Sequence, residues 1–243
     1  MSKAFRLTLA RLMREILRLN DVSKEFGGLK AVHRVNVSIN GGRTIGLVGP
    51  NGAGKTTLFN LISGFLPLTS GDIYYKGVRI NGWSVHRRVK AGITRTFQKS
   101  RVFGGFSVGE NIAAAADRAR RRSTSDGRRT GRPPAVEGGL TDWVLEVTDL
   151  SDMVDRPARA LSFSYRRRLE LAISVATRPE LLLLDEPFGG TGSGDLGDIS
   201  GLIDLLRGRG VTILLVEHNM SAVAGLADRL IYMKRGRMRI PNE

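Results

Sequence analysis

Cysteine is absent from the 243 residues, which excludes a disulfide scaffold, a thiolate nucleophile and a zinc–thiolate site, and suits the cytoplasm. No run approaches the roughly 18 uncharged apolar residues that a membrane-crossing helix needs. The N-terminal Lys3–Leu19 mixes Arg6, Arg11, Arg14 and Arg18 with apolar residues, and lacks the clean apolar core and cleavage site of a secretory signal. Aromatics are scarce at 6%, and acidic residues are outnumbered 23 to 38, leaving a net charge of +15. The positive charge is concentrated. One group is Arg118, Arg120, Arg121, Arg122, Arg128, Arg129 and Arg132; others are Arg166–Arg168 and the tail Lys234, Arg235, Arg237 and Arg239. No zinc-finger spacing or aromatic–basic platform accompanies these groups, so no nucleic-acid partner is expected. Solvated surface or contact with anionic headgroups accounts for such charge equally well.

What is present is more informative. Gly49, Pro50, Asn51, Gly52, Ala53, Gly54, Lys55, Thr56 and Thr57 fit the pattern G-x-x-x-x-G-K-[ST]. They follow the apolar run Thr44–Val48, which reads as a buried strand, and precede Leu58–Ile62, which reads as helix. A glycine-rich turn in this setting wraps a phosphate chain with inward-facing amides and a helix N-terminus behind them. Lys55 is expected to reach the β- and γ-phosphates, and Thr56 to ligate Mg²⁺. The chain is expected to bind a nucleoside triphosphate.

Residues 5–19 read either as a short basic amphipathic helix or as an N-terminal extension, set at residues 1–15; the domain is expected over 16–243. Ile16–Asn20 and Ala31–Ile39 alternate like half-buried strands, with a turn at Phe26-Gly27-Gly28 between them. Gly71–Gly77 and Ile93–Phe97 read as further strands. Helices are expected over Ser107 to about Ala119, over Leu140–Leu150 with Thr141 as cap, and over Ser164–Thr177 ahead of Pro179. Residues 120–139 read as a flexible linker. Leu181–Leu184 and Val211–Val216 are wholly apolar, as strands of a parallel sheet covered on both faces are. The expected fold is α/β: a P-loop NTPase core with a mostly parallel sheet, beside an N-terminal antiparallel β subdomain.

Cleaving a triphosphate requires charge neutralisation and an oriented water more than covalent chemistry. Asp185, where a four-leucine strand emerges, is placed to hold the Mg²⁺ shell, and Glu186 to act as general base on the water. His218, after the strand 211–216, could bond the γ-phosphate. Gln98, after the strand 93–97, could bridge the metal or the water. Phe26 is the candidate stacking platform for adenine.

In this order, Phe26, the loop 49–57, Gln98, Leu181–Glu186 and His218 resemble the ATP-hydrolysing subunit of ATP-binding cassette (ABC) transporters, over about residues 16–235. Phe26–Val32, Thr57–Phe65 and Gly92–Gln98 are similar to the subfamily that imports branched-chain amino acids. Urea and short-amide importers share much of the pattern. The resemblance implies a helical subdomain over about 99–178 whose signature sequence, here Leu161-Ser162-Phe163-Ser164-Tyr165, closes on the nucleotide of a second subunit. It also implies two transmembrane permease subunits, a second ABC ATPase, an extracytoplasmic solute-binding protein acting indirectly, and a peripheral place on the cytoplasmic face of the membrane. Permease contact is expected near Gln98–Asn111, with Phe103, Phe106 and Val108 as exposed candidates.

Three departures from the family pattern stand out. Ser164 and Tyr165 replace the usual glycine and glutamine of the signature. Gly192, within Gly189–Asp195, occupies a position where aspartate or asparagine is usual. The chain stops at Glu243, where relatives usually continue with a helix. The implied reading is a heterodimer that keeps one competent ATP site, built from this chain's loop and a partner's signature. The alternatives are a weakly active or catalytically asymmetric paralogue and a nucleotide-binding subunit without turnover. A soluble cassette protein of translation or DNA repair is disfavoured, because neither a second cassette nor a long coiled coil is present.

Overall fold

The computed structural model describes residues 14–96, 102–125, 139–188, 193–217 and 223–239. Among these, β1 (Glu15–Phe26) and β2 (Leu29–Asn40) form a hairpin, which β4 (Ser70–Tyr75) and β5 (Val78–Arg79) extend to an antiparallel sheet ordered β2-β1-β4-β5. The second sheet runs β10-β9-β3-β8-β7-β6. Its strands are β3 (Thr44–Val48), β6 (Ile93–Arg95), β7 (Leu181–Asp185), β8 (Thr212–Glu217), β9 (Arg229–Lys234) and β10 (Arg237–Arg239), parallel except for the β9–β10 hairpin. Between them lie α1 (Lys55–Ser63), α2 (Val85–Ala91), α3 (Val108–Ser125), α4 (Leu140–Val147), α5 (Phe163–Ala176) and α6 (Ser193–Gly208).

The apolar strands are buried on both faces because side chains alternate across a strand. In β7, Leu181 and Leu183 join the cluster around α1 and the antiparallel sheet, while Leu182 and Leu184 join the cluster under the other helices. β8 divides in the same way, with Leu214 and Val216 on one side and Ile213 and Leu215 on the other. The α/β fold expected from the apolar strands is the fold observed.

Several local expectations are corrected. Residues 15–19 pair in β1 and are not helical, since Leu17 and Leu19 are needed on the core face of a strand. α3 runs past Ala119 to Ser125, so the linker reading fails for 120–125, where the chain continues its helix; residues 126–138 lie outside the described residues. Gly139, not Thr141, occupies the N-cap of α4, and no side chain caps that end. Val108 is fully buried as the first residue of α3, leaving Phe103 and Phe106 as the exposed pair, 62% and 47% exposed. Within the glycine-rich Gly189–Asp195 stretch, Ser193 already opens α6, while Gly192 lies outside the described residues.

Candidate functional site: a phosphate loop facing a carboxylate pair

The turn from β3 into α1 depends on glycine at two tightly packed positions. Gly49 has φ +151°, and a Cβ there would stand 2.1 Å from the Met233 carbonyl oxygen of β9. Gly54, the N-cap of α1, has φ +103°, and its Cβ would stand 2.2 Å from the Ala31 carbonyl oxygen of β2. Only glycine adopts such backbone while other main chain approaches this closely. A Cβ on Gly52, at φ +74°, would meet nothing within 4 Å among the described residues, so the tip of the loop is open there. Further bonds brace the loop: the Gly236 amide donates to the Ala53 carbonyl at 2.9 Å, and the His33 amide to the Gly236 carbonyl at 2.8 Å. The β1–β2 hairpin and the β9–β10 turn therefore both support the phosphate loop from behind. Ala53 is buried, while Asn51 and Thr56 are exposed.

Lys55 is the first residue of α1 and only 5% exposed. Its ammonium donates to the carbonyls of Gly49 and Pro50 at 2.6 and 3.0 Å, arching over the loop. Burial lowers its pKa from the ordinary lysine value, and the negative charges of Glu186 and Asp185 oppose that shift. Those two carboxylates, 130 residues and more along the chain, thus act on the same ammonium.

Asp185 ends β7, 1% exposed. Its amide donates to the Thr96 hydroxyl at 3.2 Å, and its Oδ2 pairs with the Arg95 guanidinium at 2.6 Å. Its Oδ1 is buried without a hydrogen-bond partner among the described residues. Glu186 follows in the left-handed region at φ +50°, its amide donating to the Val216 carbonyl at 3.0 Å. That reversal turns the chain away from the strand axis immediately after Asp185, and strain of this kind gathers at functional sites. The next turn is tied to β8, where the Phe188 amide donates to Glu217 Oε1 at 3.0 Å.

Phe26 is 44% exposed at the tip of the β1–β2 hairpin, with the Lys24 ammonium 5.0 Å from its ring centroid. The hairpin that carries it also supplies the Ala31 carbonyl behind Gly54. Gln98 and His218 lie outside the described residues. The strands that lead to them, β6 and β8, flank β7. Of the signature segment, Leu161 is buried and Phe163 is 59% exposed, while Ser162 caps α5 by accepting from the Tyr165 amide at 3.4 Å. Ser164 and Tyr165 are half-buried, and the Arg167 and Arg168 guanidiniums lie 5.6 Å from the rings of Phe163 and Tyr165 respectively. The segment entering the signature is stitched to the Phe103–Phe106 loop. Arg159 and Ala158 donate amides to the carbonyls of Gly104 and Phe106, and Val108 donates to Arg156.

Sequence reasoning overlooked Arg95 and Asn60. The signal was available in Arg95, a cation inside an otherwise uncharged strand beside the wholly apolar 181–184 run, but which carboxylate it meets is a matter of sheet order.

The residues present suit a magnesium–triphosphate group. The loop is open at Gly52, the Thr56 hydroxyl sits at the start of α1, and one oxygen of Asp185 lacks a partner among the described residues. Among the described residues no group of three or more His, Asp or Glu could hold a metal alone. Such a donor set suits Mg²⁺, which commonly relies on one or two protein ligands plus phosphate oxygens and water.

A phosphate-wrapping loop against a parallel sheet with an acidic strand end defines a nucleotide-hydrolysing cassette. The chain belongs to the ABC transporter family, whose model matches residues 32–189, and ATP hydrolysis is its activity. It is 36% identical to the high-affinity branched-chain amino acid transport ATP-binding protein BraF of Pseudomonas aeruginosa, over 93% of this chain and 90% of that protein. To LivG of Escherichia coli K12, described in the same words, it is 35% identical over 91% of this chain and 89% of that one. Among solved structures, the ADP conformation of MJ1267, an ATP-binding cassette of an ABC transporter, is similar with TM-score 0.78 and 30% identity, covering 93% and 90% of the two chains. A nucleotide-free cassette matches with TM-score 0.75 at 28% identity, covering 92% of this chain and 89% of that one.

Proposed function

We propose that this chain is one of two cassettes that power solute import through a pair of membrane permease subunits, with branched-chain amino acids as the solute. The observation that carries the reading is near full-length similarity to two such importer subunits, with Lys55, Thr56, Asp185 and Glu186 all present on one chain. In this reading residues 16–243 form the cassette, and the helices between about 99 and 178 carry the signature toward the second subunit.

Phe26 stacks on adenine, and residues Gly49–Thr57 surround the phosphates with amides while Lys55 exchanges its two carbonyl acceptors for phosphate oxygens. Thr56, Asp185 and Gln98 would hold Mg²⁺, which would supply charge neutralisation for the phosphates. Glu186 accepts a proton from the attacking water as the water oxygen bonds to the γ-phosphorus; the bond from that phosphorus to the bridging oxygen breaks, and ADP and inorganic phosphate leave. His218 steadies the γ-phosphate and the water. Leu161–Tyr165 act on the other subunit's nucleotide, so the Ser164 and Tyr165 replacements weaken the partner's site and not the one assembled on this chain's loop. Permease contact falls on the exposed Phe103 and Phe106, and the cassette sits peripherally on the membrane. No helix of the described residues is long and apolar enough to cross it.

The test is magnesium-dependent ATPase activity of this chain alone, with its cognate second cassette, and in the reconstituted transporter. Activity is expected only with the partner, and Glu186→Gln should lower it by about 10²-fold or more while nucleotide still binds. Full activity of the isolated chain would sink the heterodimer reading. Transport and turnover unchanged by Glu186→Gln would favour a binding-only subunit.

A further inference from the structure

Beyond the residues that the phosphate-loop motif names, one buried cation touches both halves of the site. Arg95 ends β6 with its side chain 6% exposed. Its Nη2 donates to Asp185 Oδ2 at 2.6 Å and its Nη1 to Asn60 Oδ1 at 2.5 Å. The guanidinium lies 5.6 Å from the ring centroid of Phe59. Phe59 and Asn60 belong to α1, the helix that opens with Lys55, so one planar group spans the phosphate helix, β6 and the carboxylate at the end of β7.

A buried ion pair is a poor way to gain stability, because desolvating both charges offsets most of their attraction. Its geometry is the more informative property. A guanidinium presents a rigid fork that can satisfy two acceptors at fixed angles, which a lysine ammonium on a flexible stem does not do. Because Arg95 occupies Oδ2, the oxygen of Asp185 left without a hydrogen-bond partner among the described residues is Oδ1.

We propose that Arg95 is a positioning residue for the metal carboxylate: braced by Asn60, it holds Asp185 through Oδ2 and leaves Oδ1 to the hydrated Mg²⁺ that accompanies ATP. The inference rests on the ATPase reading above and deepens it.

The experiment is binding of N-methylanthraniloyl-ATP to the full chain, in Mg²⁺ and in EDTA, for the parent protein, Arg95→Met, Arg95→Lys and Asn60→Ala. Affinity in EDTA should stay within about two-fold, while the gain on adding Mg²⁺ should shrink about ten-fold or more in Arg95→Met, as loss of a group that orients a metal ligand does. Arg95→Lys should fall between, and Asn60→Ala, which keeps the ion pair and loses its brace, should lose about three-fold of that gain. Equal losses in EDTA and Mg²⁺ would reduce Arg95 to a structural strut. An unchanged or larger Mg²⁺ gain would make it a counter-ion that the metal displaces; either result overturns the proposal. Should Arg95→Met fail to fold, an undiminished Mg²⁺ gain in both other variants overturns it equally. Failure of the parent protein to bind the nucleotide at all would instead sink the ATPase reading.

Discussion

Lys55 carries a charge in a place where burial disfavours it, held by two carbonyls of its own loop. With its folded pKa below the unfolded one, its ionisation costs stability at neutral pH, and that cost is relieved as pH rises through the folded pKa. Phosphate binding favours the ammonium, so nucleotide affinity should be level near neutrality and decline at a pH below the ordinary lysine value of 10.5. The decline should approach about ten-fold per pH unit, and Lys55→Met should bind weakly without it. Titrating nucleotide affinity from neutral to alkaline pH checks both arms; a parent-protein curve as flat as that of Lys55→Met would contradict the role given to the ammonium. This residue was legible from its motif alone. Arg95 was not, because nothing local in Thr94-Arg95-Thr96 identifies a partner 90 positions away.

At the scale of elements, the helix behind the phosphates is held at its far end by another arginine. Arg88 of α2 is 2% exposed and donates to five carbonyls, those of Leu61, Ile62, Ile80, Asn81 and Trp83. Burial pushes its pKa down to about 10, and carbonyl dipoles at the C-terminal end of α1 favour its charge. Gly64, the C-cap of α1, has φ +83°, and a Cβ there would stand 2.8 Å from the Arg88 Nε. Arg88→Met should lower stability by about 3 kcal/mol, because carbonyls turned inward lose their donor. Denaturant unfolding measures that loss, and Arg88→Lys should recover only part of it, with three donors in place of a fork. The expected strands and helices were recovered wherever apolar periodicity was strong, as in β3, β7 and β8. They were missed where tertiary contacts decided. No strand is expected over β9, which only its pairing with β3 reveals; β10 lies in the stretch Lys234–Arg239 that reads as a basic tail, and α3 continues through arginines that a composition rule assigns to linker.

Across the whole molecule, the site is assembled from segments that are distant in sequence, and its two hydrophobic clusters divide the labour. One packs α1 between the sheets; the other carries α3, α4 and α5 with the signature segment on the opposite face of the parallel sheet. The loop with Phe103 and Phe106 is fastened to the chain entering the signature by main-chain bonds, and Asn111 clamps it through Phe103, whose amide donates to its Oδ1 at 2.9 Å. Those bonds join the loop to Ala158 and Arg159, a few residues ahead of Ser162. Phe103→Ser with Phe106→Ser should leave ATPase activity of the paired cassettes within about two-fold and abolish its stimulation by reconstituted permease, since exposed aromatic anchors dominate interface energy. Equal stimulation with and without the rings would place the permease elsewhere. The sequence by itself determined the phosphate loop, the apolar strands and the carboxylate pair, because each is a local pattern whose chemistry needs contiguous residues. Only the tertiary structure decided that Val108 is core while Phe103 and Phe106 are surface, and that Arg95 meets Asp185. Burial and ion pairing depend on which strands become neighbours, and that choice is made by packing across the whole chain.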